Sequence, residues 1–534
     1  MPILSFKETQ IIADCELAEL ESGGYLLSGS NTALTLPNAP RSYYHHGWQS
    51  WSLATWSAPQ ALPVQKPELF HPLQIDPVYA HHPSPHGNWL GAVEFDNGNI
   101  LLLGALGLDA HVQLRDGTLQ GWYENVSRDS VPHQAWFVGY GDEAQVFSDY
   151  AQILARTLGL RRAGKHQRVW CSWYSLYTAI DEQILSETFQ ALGDLPFDVL
   201  QVDDGWQVKV GDWQANEKFP SGMEALANGI QATGREAGLW LAPLIAAESS
   251  QLFQQHPSWF IHNSNGNFVS AGFNWGEPLY ALDTTHPDAL EWLAALMKQV
   301  RSWGFDYLKL DFLYAAALPG VRHLDLPREA AYRNGLQIMR EAMGEDAYFL
   351  ACGAPILPSL GLCDGLRIGP DVADFWESER DARILCNPTT PGARNAIRTS
   401  LHRLWLASLL HIDPDVAYFR SKHNSLTSEQ NSLLQDLARI CNFKATSDLP
   451  QWWTETERES VRDFLQKEPT VERTGRYTFH IDGREVDFSA AMNVPQARKM
   501  SLLTPFVLWG GEQTWIIRLL DKQQRKKIEK IKTD

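Results

Sequence analysis

The chain has 534 residues, with 44% hydrophobic and 20% charged side chains, a balance that gives room for about three domains and excludes a disordered protein. Its 45 basic against 63 acidic residues leave a formal charge of −18, which argues against a nucleic-acid or anionic-membrane partner and is indifferent to a neutral ligand. The 21 tryptophans exceed ordinary usage; such rings pack cores and domain seams, and they also stack on the apolar faces of sugars.

Cys15, Cys171, Cys352, Cys363, Cys386 and Cys441 are widely spread, with no C-x-x-C pair or histidine cluster at zinc spacing. Neither a metal nor another cofactor is expected. The start, Met1 to Lys7, lacks the basic region and apolar core of a signal peptide. No uncharged apolar stretch approaches the roughly 18–20 residues of a membrane span. The expectation is a reduced, soluble, cytoplasmic protein that engages no membrane.

In chain order, residues 1–160 read as an N-terminal β-sandwich with a linking helix. Short alternating runs such as Tyr25-Leu26-Leu27, Ile100 to Leu103 and Ala110 to Leu114 are separated by Gly, Asn and Pro. Within them Gly47-Trp48-Gln49-Ser50-Trp51-Ser52 is dense in aromatics for an ordinary turn. Helical spacing from Asp142 to Leu158 predicts the linking helix. The following Arg161-Arg162 and Lys165 read as a solvated linker.

Residues 161–455 alternate strand and helix. Strands are predicted over 169–173, 198–202, 239–243, 305–310, 348–353, 364–368, 404–412 and 443–445. Helices are predicted over 181–192, 225–236, 287–302, 328–343, 393–408 and 427–441, with a longer excursion over 244–286. No G-x-G-x-x-G or Walker loop follows any strand, so a (β/α)8 TIM barrel is preferred to an open nucleotide-binding sheet. Residues 456–534 read as a small C-terminal β-sheet domain, with strands at 477–481 and 514–517 and a highly charged end.

Barrel strands deliver their C-terminal residues to one face, where sites lie. Those ends carry Trp173, Asp203, Asp204, Trp240, Lys309, Asp311, Cys352, Arg367 and Asp371. Two carboxylates across a scissile bond are what glycoside hydrolysis needs. Adjacent Asp203 and Asp204 suit the gripping of a diol. Lys309, two residues before Asp311, is expected to keep it ionised. Val372, Phe375 and Trp376 are expected to give Asp371 apolar surroundings suited to a general acid. Asp-Asp-Gly is also a plain turn signal, and an Asp after Gly-Pro is commonly a helix N-cap; the joint placement on successive strand ends favours catalysis. Cys352 reads as a small buried hydrophobe rather than a nucleophile.

These residues carry a resemblance. Trp170-Cys171-Ser172-Trp173-Tyr174, Asp203-Asp204-Gly205-Trp206 with Gly211-Asp212-Trp213, Leu239 to Pro243, Tyr280 to Asp283, Lys309-Leu310-Asp311-Phe312, Cys352-Gly353 and Arg367 to Asp371 resemble, in order, glycoside hydrolase family 36. This is the α-galactosidase (melibiase) family that also holds raffinose and stachyose synthases. The resemblance implies an N-terminal β-supersandwich, whose Trp48/Trp51 loop lends a Trp to the sugar pocket, and a retaining double displacement on α-galactosides. It implies Asp311 as nucleophile and Asp371 as acid/base, their carboxyls about 5–5.5 Å apart. Asp203, Asp204, Trp240, Lys309, Cys352 and Arg367 match substrate contacts, the Asp pair facing the 4- and 6-hydroxyls. The expected partner is an α-galactoside oligosaccharide such as melibiose or raffinose. Galactosyl transfer to an acceptor sugar, α-N-acetylgalactosaminidase activity and a non-catalytic sugar-binding relic are the alternatives.

Overall fold

A computed structural model of the chain describes residues 3–6, 9–13, 17–20, 24–61, 75–79, 86–124, 134–161, 167–377 and 389–494. The N-terminal part folds as two facing antiparallel sheets, of six and seven strands. Tight hairpins pair consecutive runs, as where Ala110–Arg115 lies against Thr118–Tyr123. Leu4, Leu27, Leu34, Leu103, Val112, Leu119 and Trp136 are fully buried in the core between and around the sheets, as the period-2 alternation requires.

The linking helix Glu143–Leu158 begins at Asp142, whose side chain accepts the N–H groups of Ala144 and Gln145, two donors the helix itself leaves unpaired. Its Val146, Phe147, Tyr150 and Leu154 are buried. The expected solvated linker is corrected at Arg161. Its guanidinium bonds Asp364 at 2.7 Å and also Glu345, which pins the chain to the barrel. Arg162 and Lys165 lie outside the described residues.

The eight parallel strands are Gln167–Cys171, Val199–Val202, Glu236–Leu241, Tyr307–Leu310, Tyr348–Ala351, Gly365–Arg367, His411–Asp413 and Phe443–Thr446. The first strand pairs with both the second and the eighth, and the series runs on in order to the seventh. The sheet therefore curls into a barrel. Just past the seventh strand, Ala417 N–H bonds Ala445 O on the eighth at 2.9 Å. Most helices stand where helical spacing places them, including Pro287–Ser302, Arg328–Met343 and Ser428–Cys441.

Four expectations shift. The helix predicted over 393–408 ends at Leu401. The run over 404–412, read as a strand, is mostly a tight 3-10 helix, Leu404–Ser408, and the strand itself is only His411–Asp413. The helix predicted over 225–236 is Gly222–Gln231; it ends before Thr233 and Gly234 (φ +77°), and Glu236 already belongs to the third strand. The excursion over 244–286 is a three-stranded sheet of its own, Ile245–Ala247, Glu277–Ala281 and Ser270–Asn274. It stands above the C-terminal end of the barrel.

Beyond the barrel, helix Glu455–Gln466 opens with a Thr454/Glu457 capping box, and Val471–Arg473, Thr478–Ile481 and Arg484–Asp487 form a small antiparallel sheet. The strand predicted at 514–517 and the charged end lie outside the described residues. No described helix is long and apolar enough to cross a membrane.

Candidate active site

The fourth barrel strand ends at Leu310, and Asp311 follows it into the mouth of the barrel. Phe312 turns left-handed (φ +53°), which folds its N–H back onto Asp311 Oδ1 at 2.8 Å. The indole N–H of Trp240, from the end of the neighbouring strand, donates to Asp311 Oδ2 at 3.0 Å. Both carboxylate oxygens are thus fixed by neutral donors. Gly353 closes the other side; a Cβ there would stand 3.3 Å from Asp311 Oδ1, and its φ of +51° disfavours any side chain. Burial pushes the Asp311 carboxyl above its usual range; the Lys309 charge and the Trp240 N–H oppose that, and the charge of Asp371 adds to it.

Lys309 does not bond Asp311. Its ammonium donates to Asp203 Oδ2 at 2.9 Å, while its charge favours the ionised form of Asp311, in the expected direction. It acts on Asp311 only through space, and burial outweighs it. Asp203 is further gripped by Gln201 Nε2 at 2.7 Å and its own N–H reaches Ser172 Oγ at 2.9 Å. Both members of the Asp203–Lys309 pair are almost fully buried.

Asp204 meets a different environment. Gln207 Nε2 donates to Oδ1 at 2.5 Å and Trp275 Nε1 to Oδ2 at 2.7 Å. Burial pushes its carboxyl up to about 6. At Gly205 (φ +116°) a Cβ would stand 2.9 Å from Thr178 Cα and collide, so the Asp-Asp-Gly turn and the site are one feature. Sequence reasoning missed Trp275. The local signal was the Asn274-Trp275-Gly276 tip between two extended runs.

At the rim, Arg367 ends the sixth strand. Its guanidinium bonds Asp371 Oδ1 at 3.1 Å, Asp413 Oδ2 at 3.0 Å and Asp415 Oδ2 at 2.9 Å. Tyr174 O–H also donates to Asp415, and Val372 N–H bonds Asp415 Oδ2 at 2.9 Å, tying down the loop that bears Asp371. The expected apolar surroundings of Asp371 are therefore corrected: its carboxylate rests on a guanidinium and 30% of its side chain is exposed. Asp413 and Asp415 are site residues that sequence reasoning missed. Asp413 ends a strand of only three residues, too short for a pattern to declare it, and Asp415 lies just past that end.

Cys352 is buried beside Asp311 and its thiol is pushed up, chiefly by burial, as expected of a small hydrophobe. Trp173 begins the short helix after the first strand and stands edge-on to Tyr177 at 5.2 Å. The two tryptophans of the sandwich loop part company. Half-buried Trp51 meets Phe312, next to Asp311, edge-on at 5.5 Å. Trp48 is 1% exposed beneath the Arg328 guanidinium at 5.5 Å; it supports the loop and is not open to a ligand. Buried Arg403 holds that loop by donating to the carbonyls of Gly47, Gln49, Ser50 and Ser52.

Among the described residues, one cluster has metal-ligand spacing, Asp76, His111 and Glu124 in the sandwich. The Arg328 guanidinium already bonds both carboxylates there, Asp76 at 2.6 Å and Glu124 at 2.5 Å. That donor set is served by an arginine.

The fold and the residues of this site have relatives. The sequence pattern of the Melibiase family matches residues 138–342. Alpha-galactosidase AgaA of Geobacillus stearothermophilus is 26% identical over 184 residues, 32% of this chain and 24% of that protein. Alpha-galactosidase 2 of Pediococcus pentosaceus is 27% identical over 196 residues, 35% of this chain and 26% of that protein. The chain thus spans about a quarter of the length of the curated relatives it matches. Among solved structures, TtGalA, the alpha-galactosidase from Thermus thermophilus in complex with p-nitrophenyl alpha-D-galactopyranoside, superposes with a TM-score of 0.86 at 44% identity. That match covers 92% of this chain and 99% of the other. The stachyose complex of the same protein gives a TM-score of 0.82 over 88% and 99% of the two chains. AgaA itself, a family 36 structure, shares the fold at 17% identity and a TM-score of 0.54, over 83% of this chain and 64% of the other.

Proposed function

The chain belongs to the melibiase family, glycoside hydrolase family 36, and from that premise we infer that it is a retaining exo-α-galactosidase acting on terminal α-D-galactosyl groups of oligosaccharides. The observation that carries the reading is Asp311 at a strand end, both oxygens fixed by Trp240 and Phe312, with a second carboxylate, Asp371, held on Arg367 at the end of another barrel strand. A nucleophile must be aimed, and two fixed donors aim it. Asp311 attacks the anomeric carbon while Asp371 protonates the departing oxygen. Once Asp311 is esterified its charge is gone, and Asp371 takes the proton of the water that hydrolyses the ester.

Asp203 and Asp204 accept hydrogen bonds from two sugar hydroxyls. A carboxylate that reads the axial 4-hydroxyl of galactose is left unpaired by glucose, which penalises the epimer. The 44% identical Thermus thermophilus relative, solved in complex with a nitrophenyl galactoside and with stachyose, supports this substrate class. A reducing, cytoplasmic setting is part of the proposal; Cys171, Cys352, Cys363 and Cys441 are all free and buried, which fits it.

The test is a panel of nitrophenyl α-galactoside, α-N-acetylgalactosaminide and α-glucoside, with proton NMR of the first sugar released. Hydrolysis of the galactoside with α-galactose as the first product is expected. Preference for another glycone, or β-galactose first, overturns the reading. Transfer to added sucrose in place of hydrolysis would assign the chain to the synthase branch.

A further inference from the structure

Trp275 sits at the tip of the hairpin whose arms are Ser270–Asn274 and Glu277–Ala281. It and Gly276 are both left-handed, at φ +53° and +84°, the backbone that tight hairpin turns demand. Glycine accepts that conformation freely, whereas tryptophan is strained there. The turn is secured by Asn274 Oδ1, which accepts the Trp275 N–H at 2.9 Å. The hairpin is tied to the barrel mouth through Ile245–Ala247 and through Tyr314 O–H on Ala271 O at 2.8 Å. A strained backbone held from several sides is one way a fold aims a side chain.

The side chain it aims is the indole. Trp275 Nε1 lies 2.7 Å from Asp204 Oδ2, and the half-buried ring meets Trp240 at 6.1 Å and Phe312 at 5.5 Å. Asp203 has the Lys309 ammonium; Asp204 is held instead by two neutral donors, Trp275 and Gln207. Resting on the α-galactosidase reading, we propose that Trp275 is a positioning residue: beside Gln207, its indole N–H fixes Asp204 and keeps its carboxylate charged, so that loss of this contact raises the acid limit of sugar binding.

The charged groups around Asp204 agree. Burial is the dominant effect and pushes its carboxyl up to about 6; Asp203 pushes the same way, while the Gln207 and Trp275 donors and the charge of Lys218 oppose it. Lys218 is turned to Thr178 O at 2.8 Å. A donor to the charged form lowers the pH at which that form is lost. Without the indole N–H, Asp204 takes up its proton at higher pH, where a protonated carboxyl grips a diol less well.

The experiment is the pH profile of kcat/KM and of kcat on nitrophenyl α-galactoside for wild type and Trp275→Phe, which keeps an aromatic ring and loses the N–H. The acid limb of kcat/KM is expected to move up by about one pH unit, the size of one charge-assisted hydrogen bond. At pH 6 the KM is expected to rise about fivefold while kcat changes less than about threefold. An unmoved acid limb, or an equal loss at every pH, overturns the inference and leaves the α-galactosidase reading standing. A wild-type protein inactive on every α-galactoside overturns that reading instead. Should Trp275→Phe not fold, indole N–H resonances of the wild-type protein serve: one is expected to titrate at the midpoint of the acid limb, and none doing so overturns the inference.

Discussion

Asp311 on the floor of the site is buried and held by two neutral N–H groups, whereas Asp371 on the rim is partly open and rests on a guanidinium shared with Asp413 and Asp415. The floor is built from strand ends, which fix position. The rim is built from a loop, which needs a charge network to fix it. The difference suits the two roles. A nucleophile gains from being aimed and dry, while a group that exchanges protons with water twice per cycle needs access to it.

The largest effect tests the floor. Asp311→Ala is expected to lower kcat on every α-galactoside by at least about a thousandfold with the melting temperature nearly unchanged; residual activity near wild type would break the comparison. Asp371→Ala comes next and is expected to depend on the leaving group. Natural oligosaccharides, whose sugar alkoxide needs a proton, should lose about 10²–10⁴-fold, and nitrophenyl galactoside much less in its first step. Equal losses on both would mean that Asp371 is not the acid.

Lys309→Met removes the only cation bonded to buried Asp203 among the described contacts. It is expected to destabilise the protein by about 3–5 kcal/mol in urea denaturation, because a buried carboxylate is left without its partner. Tyr174→Phe should have the smallest effect. It takes one donor from Asp415, which keeps the Val372 N–H and Arg367; a loss of about 1 kcal/mol, several-fold in kcat/KM, is expected. A larger loss would show that the rim is held by the phenol rather than by the arginine.

Most of this floor was legible in the sequence. Apolar runs such as Tyr307–Leu310 end in charged residues, and a parallel barrel brings such ends to one face. What the pattern could not carry was pairing across the mouth. Lys309 is two residues from Asp311, yet it bonds Asp203, from the end of a strand two places away in the sheet. Asp371 has apolar neighbours in sequence but a guanidinium in space. Asp413 ends a strand too short to show a period, Asp415 lies just past it, and Trp275 belongs to an excursion whose turn is written in three residues. Seven of the eight barrel strands needed only local pattern; the short seventh strand and the site's charge network needed the fold.

The most direct test of the central claim is chemical rescue of Asp311→Gly by azide. With the side chain gone, azide can enter the vacated space on the β face of the sugar and restore turnover of an activated α-galactoside. The account predicts β-galactosyl azide as the product. An Asp311→Gly protein that hydrolyses at the wild-type rate, or that yields α-galactosyl azide, would contradict it.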